Sequence, residues 1–371
     1  MNDVAVVGGG IMGCSVALNL ARGGMKVTVV EAGSVCRAAS AANPGTLSLQ
    51  TKRAGLMGHA MRGIELWRTA KDWLGMDVGF ERRGGLTLAF DDENANLLAT
   101  VMDARRRAGA PIEMVGANRA REIEPALSEK TVAASYCAVD GYANSYLAGL
   151  AYRKALAGAG VDVKEDAPVL GVDRAGANWV LNTAQGPVSS RRVVLAGGVW
   201  LTRMATWFGA ELPVECRVPQ VVVTERARPL FRAIIGVATR NLTLKQAANG
   251  SILIGGGWQG IGDLDRGPQQ IVAENVVGNL RLAQQCVPGL KETRIARTWA
   301  GLAARAPGWL PLVGPLFDVE NAFVIGAQRS GFTGAPIMGL LLAQLMLGRE
   351  PELEIFPPAL MNENAKRFPA D

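Results

Sequence analysis

Three glycines and one glutamate near the amino terminus have the spacing that holds a nucleotide pyrophosphate. Gly8, Gly10 and Gly13 form a G-x-G-x-x-G turn, and Glu31 stands eighteen residues beyond Gly13. Gly8 lets the chain turn sharply, Gly10 leaves room for phosphate against bare backbone, and Gly13 lets the following helix pack close. A helix starting at this turn offers unpaired N–H groups and the positive end of its dipole to an anion. A carboxylate at Glu31 suits ribose hydroxyls and repels a 2′-phosphate, which disfavours NADP. A second glycine pair, Gly331 and Gly334, flanks the start of another helix near the carboxyl terminus and offers the same kind of site.

Other chemistries lack the residues they need. His59 is the single histidine, so a Ser-His-Asp triad or a multi-histidine metal site is nearly excluded. His59 itself reads as a polar residue on a helix. Cys14, Cys36, Cys137, Cys216 and Cys286 are odd in number and never in C-x-x-C spacing. That pattern argues for reduced thiols in the cytoplasm and against a metal or iron–sulfur centre.

These residues need elements to position them. Val4–Val7 reads as a buried strand, about 13–22 as a helix stopped by Gly23-Gly24, and Val27–Val30 as a second strand ending on Glu31. That is a dinucleotide-binding βαβ unit. A small-residue loop, Ala38 to Thr46, follows; it suits a backbone lying against a flat ligand, or an ordinary connection. Helices are expected over 55–73, 91–108, 115–123, 145–157, 269–286 and 334–347. Strands are expected at 86–90, 161–163, 169–172, 179–183, 192–196, 218–224, 242–246, 251–258, 294–302 and 322–326. Asn249-Gly250 marks an antiparallel hairpin. Arg192 to Trp200 runs from a buried strand into a second glycine turn, Gly197-Gly198.

Composition narrows the class. The 371 residues allow two or three domains, and 49% hydrophobic content with 45 glycines fits a large-cored α/β protein. The net charge is +6, but the basic residues are scattered. The densest clusters, Arg105–Arg107 and Arg191-Arg192, carry no interleaved aromatics, so they read as solvated surface and not as a nucleic-acid face. Lys52-Arg53 reads as exposed charge, or as a contact for a phosphate. The amino terminus lacks the basic region of a signal peptide, and no apolar run reaches the ~18–20 residues that span a bilayer.

Several motifs occur in one order: the turn ending at Glu31, the loop at 38–46, Val193 to Trp200, Trp299-Ala300-Gly301-Leu302, Pro311-Leu312-Val313-Gly314, and Gly326 to Pro336. In these the chain resembles the D-amino-acid oxidase superfamily of FAD-dependent oxidoreductases along essentially its whole length. The resemblance implies a Rossmann-like FAD-binding domain with a second, antiparallel-sheet substrate domain, α/β in class and α+β overall. The expected division is 1–80, 141–211 and 300–371 for FAD, and 81–140 and 212–299 for substrate. It implies FAD against Gly8, Gly10, Ile11, Met12, Gly13, Glu31 and Ala32, then Ser40, Ala42, Asn43, Pro44 and Gly45. Val169 would lie near the adenine, with Ala196, Gly197 and Trp200 alongside. Arg329, Gly331, Phe332, Thr333 and Gly334 would approach the ribityl chain and flavin edge, where N–H groups favour negative charge on reduced flavin.

Three departures refine what the resemblance implies. No cysteine or histidine stands where relatives tether flavin, so FAD is expected to be noncovalent. The lysine that activates oxygen in sarcosine-oxidase-like members is matched by Leu253, so electrons are expected to leave for another acceptor. The arginine that follows A-G-L in glycine-oxidase-like members is matched by Ala303, with Arg305 or Arg329 as substitutes.

Leu242 to Gln246 with Ile252 to Trp258 is most similar to the β subunits of multi-subunit dehydrogenases, such as those of opine oxidase and hydroxyproline dehydrogenase. The expected activity is therefore oxidation of the C–N bond of a secondary amino acid, an opine being favoured. Companion electron-transfer subunits follow from this, as does an optional FMN at an interface. Lys245, Trp258, Arg305 and Arg329, with Tyr142 behind them, are the expected substrate anchors. The rival expectations are a proline or hydroxyproline dehydrogenase subunit, a stand-alone D-amino acid or glycine oxidase, and a flavin-binding assembly subunit without turnover.

Overall fold

Val4 to Val7 and Val27 to Val30 are buried on both faces, as apolar β-branched runs in a parallel sheet must be. The computed structural model describes residues 1–238, 242–328 and 331–367. Its first eight-stranded sheet carries a parallel core in the order Ala322–Gly326, Gly186–Leu195, Asn2–Val7, Val27–Val30, Asp162–Lys164. Antiparallel strands Val169–Ala175 and Asn178–Thr183 extend it through the first half of Gly186–Leu195, and Leu312–Pro315 pairs antiparallel with Ala322–Gly326. The fold is mixed α/β with a Rossmann-like unit.

The helix Ile11–Arg22 crosses the helix Gly331–Met346 closely, because both present small residues at the crossing. A Cβ on Gly339 would lie 2.3 Å from Ser15 Oγ. Ser15 Oγ donates to Pro336 O at 3.2 Å. Pro336 sits inside the helix and has no N–H, which leaves the carbonyl of Phe332 without its intrahelical donor. The Trp67 indole supplies one instead, at 2.8 Å, and its ring stacks on Phe332 with centroids 4.6 Å apart.

A second eight-stranded sheet runs Ile295–Ala300, Gln220–Thr224, Ile252–Gly255, Thr243–Gln246, Ile234–Val237, Gly85–Ala89, Ala133–Cys137, Ile112–Gly116. The expected hairpin is present, with Lys245 opposite Leu253. The sheet is not purely antiparallel, since Ile234–Val237 and Gly85–Ala89 run parallel. These two strands come from segments separated by a long excursion, so no hairpin fixes their direction. A small third sheet joins Thr46–Leu47 and Glu81–Arg82 to the two sides of Gly141–Tyr142.

Other boundaries differ locally. The helix expected over 115–123 starts at Ala117 and is preceded by a strand, Ile112–Gly116, at the edge of the second sheet. The helix over 55–73 divides into Met57–Arg68 and Ala70–Leu74, and Thr69 Oγ1 donates to Glu65 O at 3.0 Å at the break. The helix over 269–286 begins only at Ala273, because Gly267–Gln270 pairs with Ile261–Asp263. The helix expected over 334–347 starts at Gly331, not Gly334, and a further short helix, Met361–Arg367, follows it. Arg105 is buried, donating to the carbonyls of Gln50 (2.6 Å) and Lys52 (2.5 Å). It closes the end of its helix onto the core instead of joining a solvated patch. Among the described residues no helix is long and apolar enough to cross a membrane.

Candidate functional site

The first glycine turn is built as its spacing predicts. Gly8 has φ +110°, and a Cβ there would lie 2.6 Å from Ala196 O, on the neighbouring strand's glycine turn. A Cβ on Gly13 would lie 2.0 Å from Gly8 O. Both glycines are therefore required by the chain's own packing. Gly10 is not: among the described residues a Cβ there would meet only Ser40 Oγ, at 3.6 Å. Its lack of a side chain keeps an open approach to the first helical turn, which is where a pyrophosphate would need it.

Around this opening the polar groups are fixed. Glu31 accepts from Gly9 N (2.6 Å) and Gly33 N (2.9 Å), one bond on each carboxylate oxygen. Each oxygen keeps acceptor capacity for a hydroxyl. From behind, Cys36 N donates to Gly9 O at 2.8 Å, and Cys14 Sγ lies 3.3 Å from the same oxygen. The adjacent Cys36 and burial hold the Cys14 thiol well above its usual pKa, so it stays protonated. Ser40 Oγ accepts from Ile11 N at 3.0 Å. The first part of the expected 38–46 loop is a short helix, Ala39–Ala42, and its Ser40 thereby caps Ile11–Arg22 in place of Gly10, which has no side chain to do so.

The loop after Ser40 leads from this turn to the second one. Trp299 Nε1 donates to Ala42 O at 3.0 Å, Asn43 Oδ1 accepts from Gly45 N at 2.7 Å, and Gly45 has φ +78°. Thr46 is the point where distant segments meet. Its Oγ1 accepts from Lys245 Nζ at 3.0 Å, its carbonyl accepts from Thr333 Oγ1 at 3.3 Å, and it pairs with Tyr142. Lys245 Nζ also donates to Pro44 O. The two glycine turns lie side by side: a Cβ on Gly331 would sit 3.1 Å from Met12 Cε. Gln328 packs under the same helix start, where a Cβ on Gly334 would clash with its amide at 2.3 Å. Its buried Oε1 has no hydrogen-bond partner among the described residues.

The expected substrate anchors stand in different local contacts. Lys245 is buried beside the loop, and burial lowers its pKa to about 7. Tyr142 lies near it, with the lysine nitrogen 5.4 Å from its ring. The Tyr142 hydroxyl donates to Glu81 Oε1 at 2.7 Å and accepts from Ala248 N at 3.2 Å. Burial and then that Glu81 bond push its pKa up to about 12. Trp258 packs on the helix Ala273–Cys286, whose Gly278 leaves room for the indole. Arg305 stacks over Trp309 at 4.2 Å and pairs with Glu215 at 3.5 Å. Arg329 lies outside the described residues.

Among the expected cofactor residues, Ala32 follows Glu31 directly and Val169 opens the strand that pairs with Thr183. Gly197 lies against Met204, which a Cβ there would meet at 2.3 Å. The Trp200 indole donates to Leu264 O at 3.0 Å and so fastens the 261–270 hairpin. Lys52 is not exposed: it is buried, with its ammonium on Ser48 O (2.9 Å) and Thr51 Oγ1 (3.1 Å). His59 bonds through Nε2 to Glu354 O at 2.7 Å and lies against Phe356, a structural position.

Three residues of this site carry no signal of their roles in the sequence. Thr46 is there only the end of a small-residue loop, and Gln328 only part of a motif. Glu81 likewise gives no local sign, because its partner Tyr142 is far along the chain.

Comparison with known proteins agrees with this geometry. A family model described as DAO, FAD dependent oxidoreductase, matches residues 3–345. Glycine oxidase of Geobacillus kaustophilus is 28% identical over 98% of both chains. The B-type subunit of opine oxidase from Rhizobium meliloti is 26% identical over 99% of this chain and 98% of the other. The crystal structure of the Geobacillus kaustophilus glycine oxidase superposes with a TM-score of 0.87 at 26% identity, covering 95% and 96% of the two chains.

Proposed function

The chain belongs to the family of FAD-dependent oxidoreductases, and from that premise we propose that it is a dehydrogenase oxidising the C–N bond of a secondary amino acid, an opine being the favoured substrate. The observation that carries the reading is the meeting of two glycine-lined helix starts, Met12 against Gly331, joined by the Ser40–Thr46 loop. One extended cofactor can use both ends of such a cradle, whereas a nicotinamide dinucleotide needs only the first.

The residues present suit FAD. Gly8 to Gly13 would hold the pyrophosphate, with Gly10 giving the approach and the helix start the positive potential. Glu31 and Ala32 would hold the ribose, and Val169 would flank the adenine. Ala42 to Gly45 and Gly331 to Gly334 would take the flavin end, with Ala196 and Gly197 between. When bound, FAD supplies an acceptor for the hydride leaving the carbon beside nitrogen. The product imine takes up water and splits into an amino acid and a 2-oxo acid. The helix start at Gly331 favours negative charge near it. No tethering residue lies in the 38–46 or 299–314 stretches, so the cofactor is noncovalent.

Electrons would pass to companion subunits in the cytoplasm, a reading supported by relatives named as subunits, opine oxidase components among them. An interfacial FMN belongs to the same proposal. Residues 1–80, 141–211 and 300–371 would form the cofactor domain, and 81–140 with 212–299 the substrate domain. Arg329 remains the proposed carboxylate anchor.

The test is anaerobic. The purified flavoprotein is mixed with opines, proline, hydroxyproline, glycine and D-amino acids, and bleaching of the flavin band is recorded. Reduction by an opine faster than by glycine is expected; reduction by none of the secondary amines would sink the proposal. The whole-length similarity to glycine oxidase favours a second reading, a stand-alone oxidase. That reading predicts stoichiometric peroxide from the chain alone in air.

A further inference from the structure

Lys245 is 2% exposed and sits in mid-strand, yet among the described residues no carboxylate receives its ammonium. Its hydrogen-bond partners among the described residues are Pro44 O and Thr46 Oγ1. Thr46 in turn receives Thr333 from the first turn of the helix Gly331–Met346. Loop, hairpin strand and helix start are thus joined through one amine and one threonine. A buried ammonium without a counter-charge is costly, so a merely structural link would be made more cheaply by a neutral side chain.

We propose that Lys245 is a positioning residue that acts through Pro44 and Thr46 on the flavin, fixing the loop by hydrogen bonds and biasing the site by the charge on its nitrogen. This rests on the reading of the cradle as an FAD site. Two of the three ammonium donors are engaged by the loop, so the protonated form holds it most firmly. The neutral form keeps a weaker hold and withdraws a positive charge from beside the site.

The surroundings leave that charge largely uncompensated. The strands Ile252–Gly255, Ile234–Val237 and Thr46–Leu47 carry no titratable side chain. Among the described residues Tyr142 is the titratable group that faces the nitrogen, at 5.4 Å from its ring, and it stays neutral because burial and Glu81 raise its pKa. Glu81 is held away by that hydroxyl and by Arg83 Nε at 2.6 Å. Asp140, next to Gly141, points to Ser48 and Leu49 at 2.5 and 2.8 Å. Burial alone accounts for the lowered pKa of Lys245, about 7, so its charge turns over within the neutral range.

The experiment uses the flavoprotein with its FAD and two variants, Lys245→Met and Lys245→Arg. FAD dissociation constants and flavin midpoint potentials are measured from pH 5.5 to 9. Lys245→Met loses both hydrogen bonds to the loop and is expected to bind FAD about tenfold more weakly, the scale of one charged hydrogen bond passed on through the loop. In the wild type the plot of potential against pH should change slope near pH 7. The break should vanish in both variants, and Lys245→Arg should recover most of the affinity.

An unchanged break and unchanged affinity in Lys245→Met would overturn the proposal while leaving the FAD reading intact. Absence of FAD from the wild type would overturn both. If Lys245→Met does not fold by circular dichroism, Lys245→Arg decides: loss of the break supports the proposal, and its persistence overturns it.

Discussion

At the scale of single residues, what matters is which groups the chain's own packing explains. Gly13 and Gly45 are fixed by internal contacts, since a Cβ on either would lie 2.0 Å from a backbone oxygen. Gly45 also has φ +78°. Gly45→Ala should therefore cost stability and cofactor content together, whereas Gly10→Ala should fold normally and lose FAD. Melting curves with and without FAD separate the two; equal loss of stability in both would refute the distinction. Lys245 gives a further prediction. Its folded pKa lies below its unfolded value, so between about pH 7 and pH 10 the unfolded chain holds a proton that the folded chain lacks. Stability then rises with pH across that window, by up to about 1.4 kcal/mol per pH unit from this group. Denaturant melts of the FAD-free wild type and Lys245→Met at pH 7 and pH 9 should diverge in the wild type's favour, and parallel behaviour would rule it out.

At the scale of elements, the Trp67–Phe332–Pro336 arrangement shows one helix repairing another. Proline removes the donor, and the indole from Met57–Arg68 replaces it. Trp67→Phe leaves a buried carbonyl unpaired and should cost about 1–3 kcal/mol. In a Pro336→Ala background the residue 336 N–H can serve Phe332 again, so the same substitution should cost about 1 kcal/mol less. A double-mutant cycle with no coupling would refute the repair. Element identity is largely legible in the sequence where one period dominates: the βαβ unit, the hairpin at Asn249-Gly250, and the helix capped by Asn144. It fails where short strands abut helices. Ile112–Gly116 and Gly267–Gln270 have too few residues to show a period of two, and each borders a helix whose pattern absorbs it. The parallel pairing of Ile234–Val237 with Gly85–Ala89 leaves no local trace, because strand direction there is set by the long path between them.

For the molecule as a whole, the candidate site is assembled from segments that the sequence separates by hundreds of residues. The turn at Gly8 to Gly13 announces itself through spacing, but the links at Thr46 do not, since a threonine carries no signal of its distant partners. Arg305 and Trp258 suit a substrate by their chemistry, yet they lie in other contacts, with Glu215 and with Gly278. A cofactor spanning this cradle must bind the folded chain and not the unfolded one. Saturating FAD at 100 times its Kd should therefore add about 2.7 kcal/mol to the stability of the FAD-free protein. A melting temperature indifferent to FAD would count against the cradle.

The crossing of Ile11–Arg22 with Gly331–Met346 has a consequence for synthesis. Ile11–Arg22 is synthesised long before Gly331–Met346, so its surface that meets Gly339 has no cover until the later helix has been made. At about 5–20 residues per second, that exposure lasts roughly 15–70 seconds for each nascent chain. Thr46 must wait equally long for Thr333. The cradle is completed only once Gly331–Met346 has been made, so a cofactor that spans it loads late. A nascent chain stalled before Gly331 would be a client for chaperones, with an apolar helix face still bare.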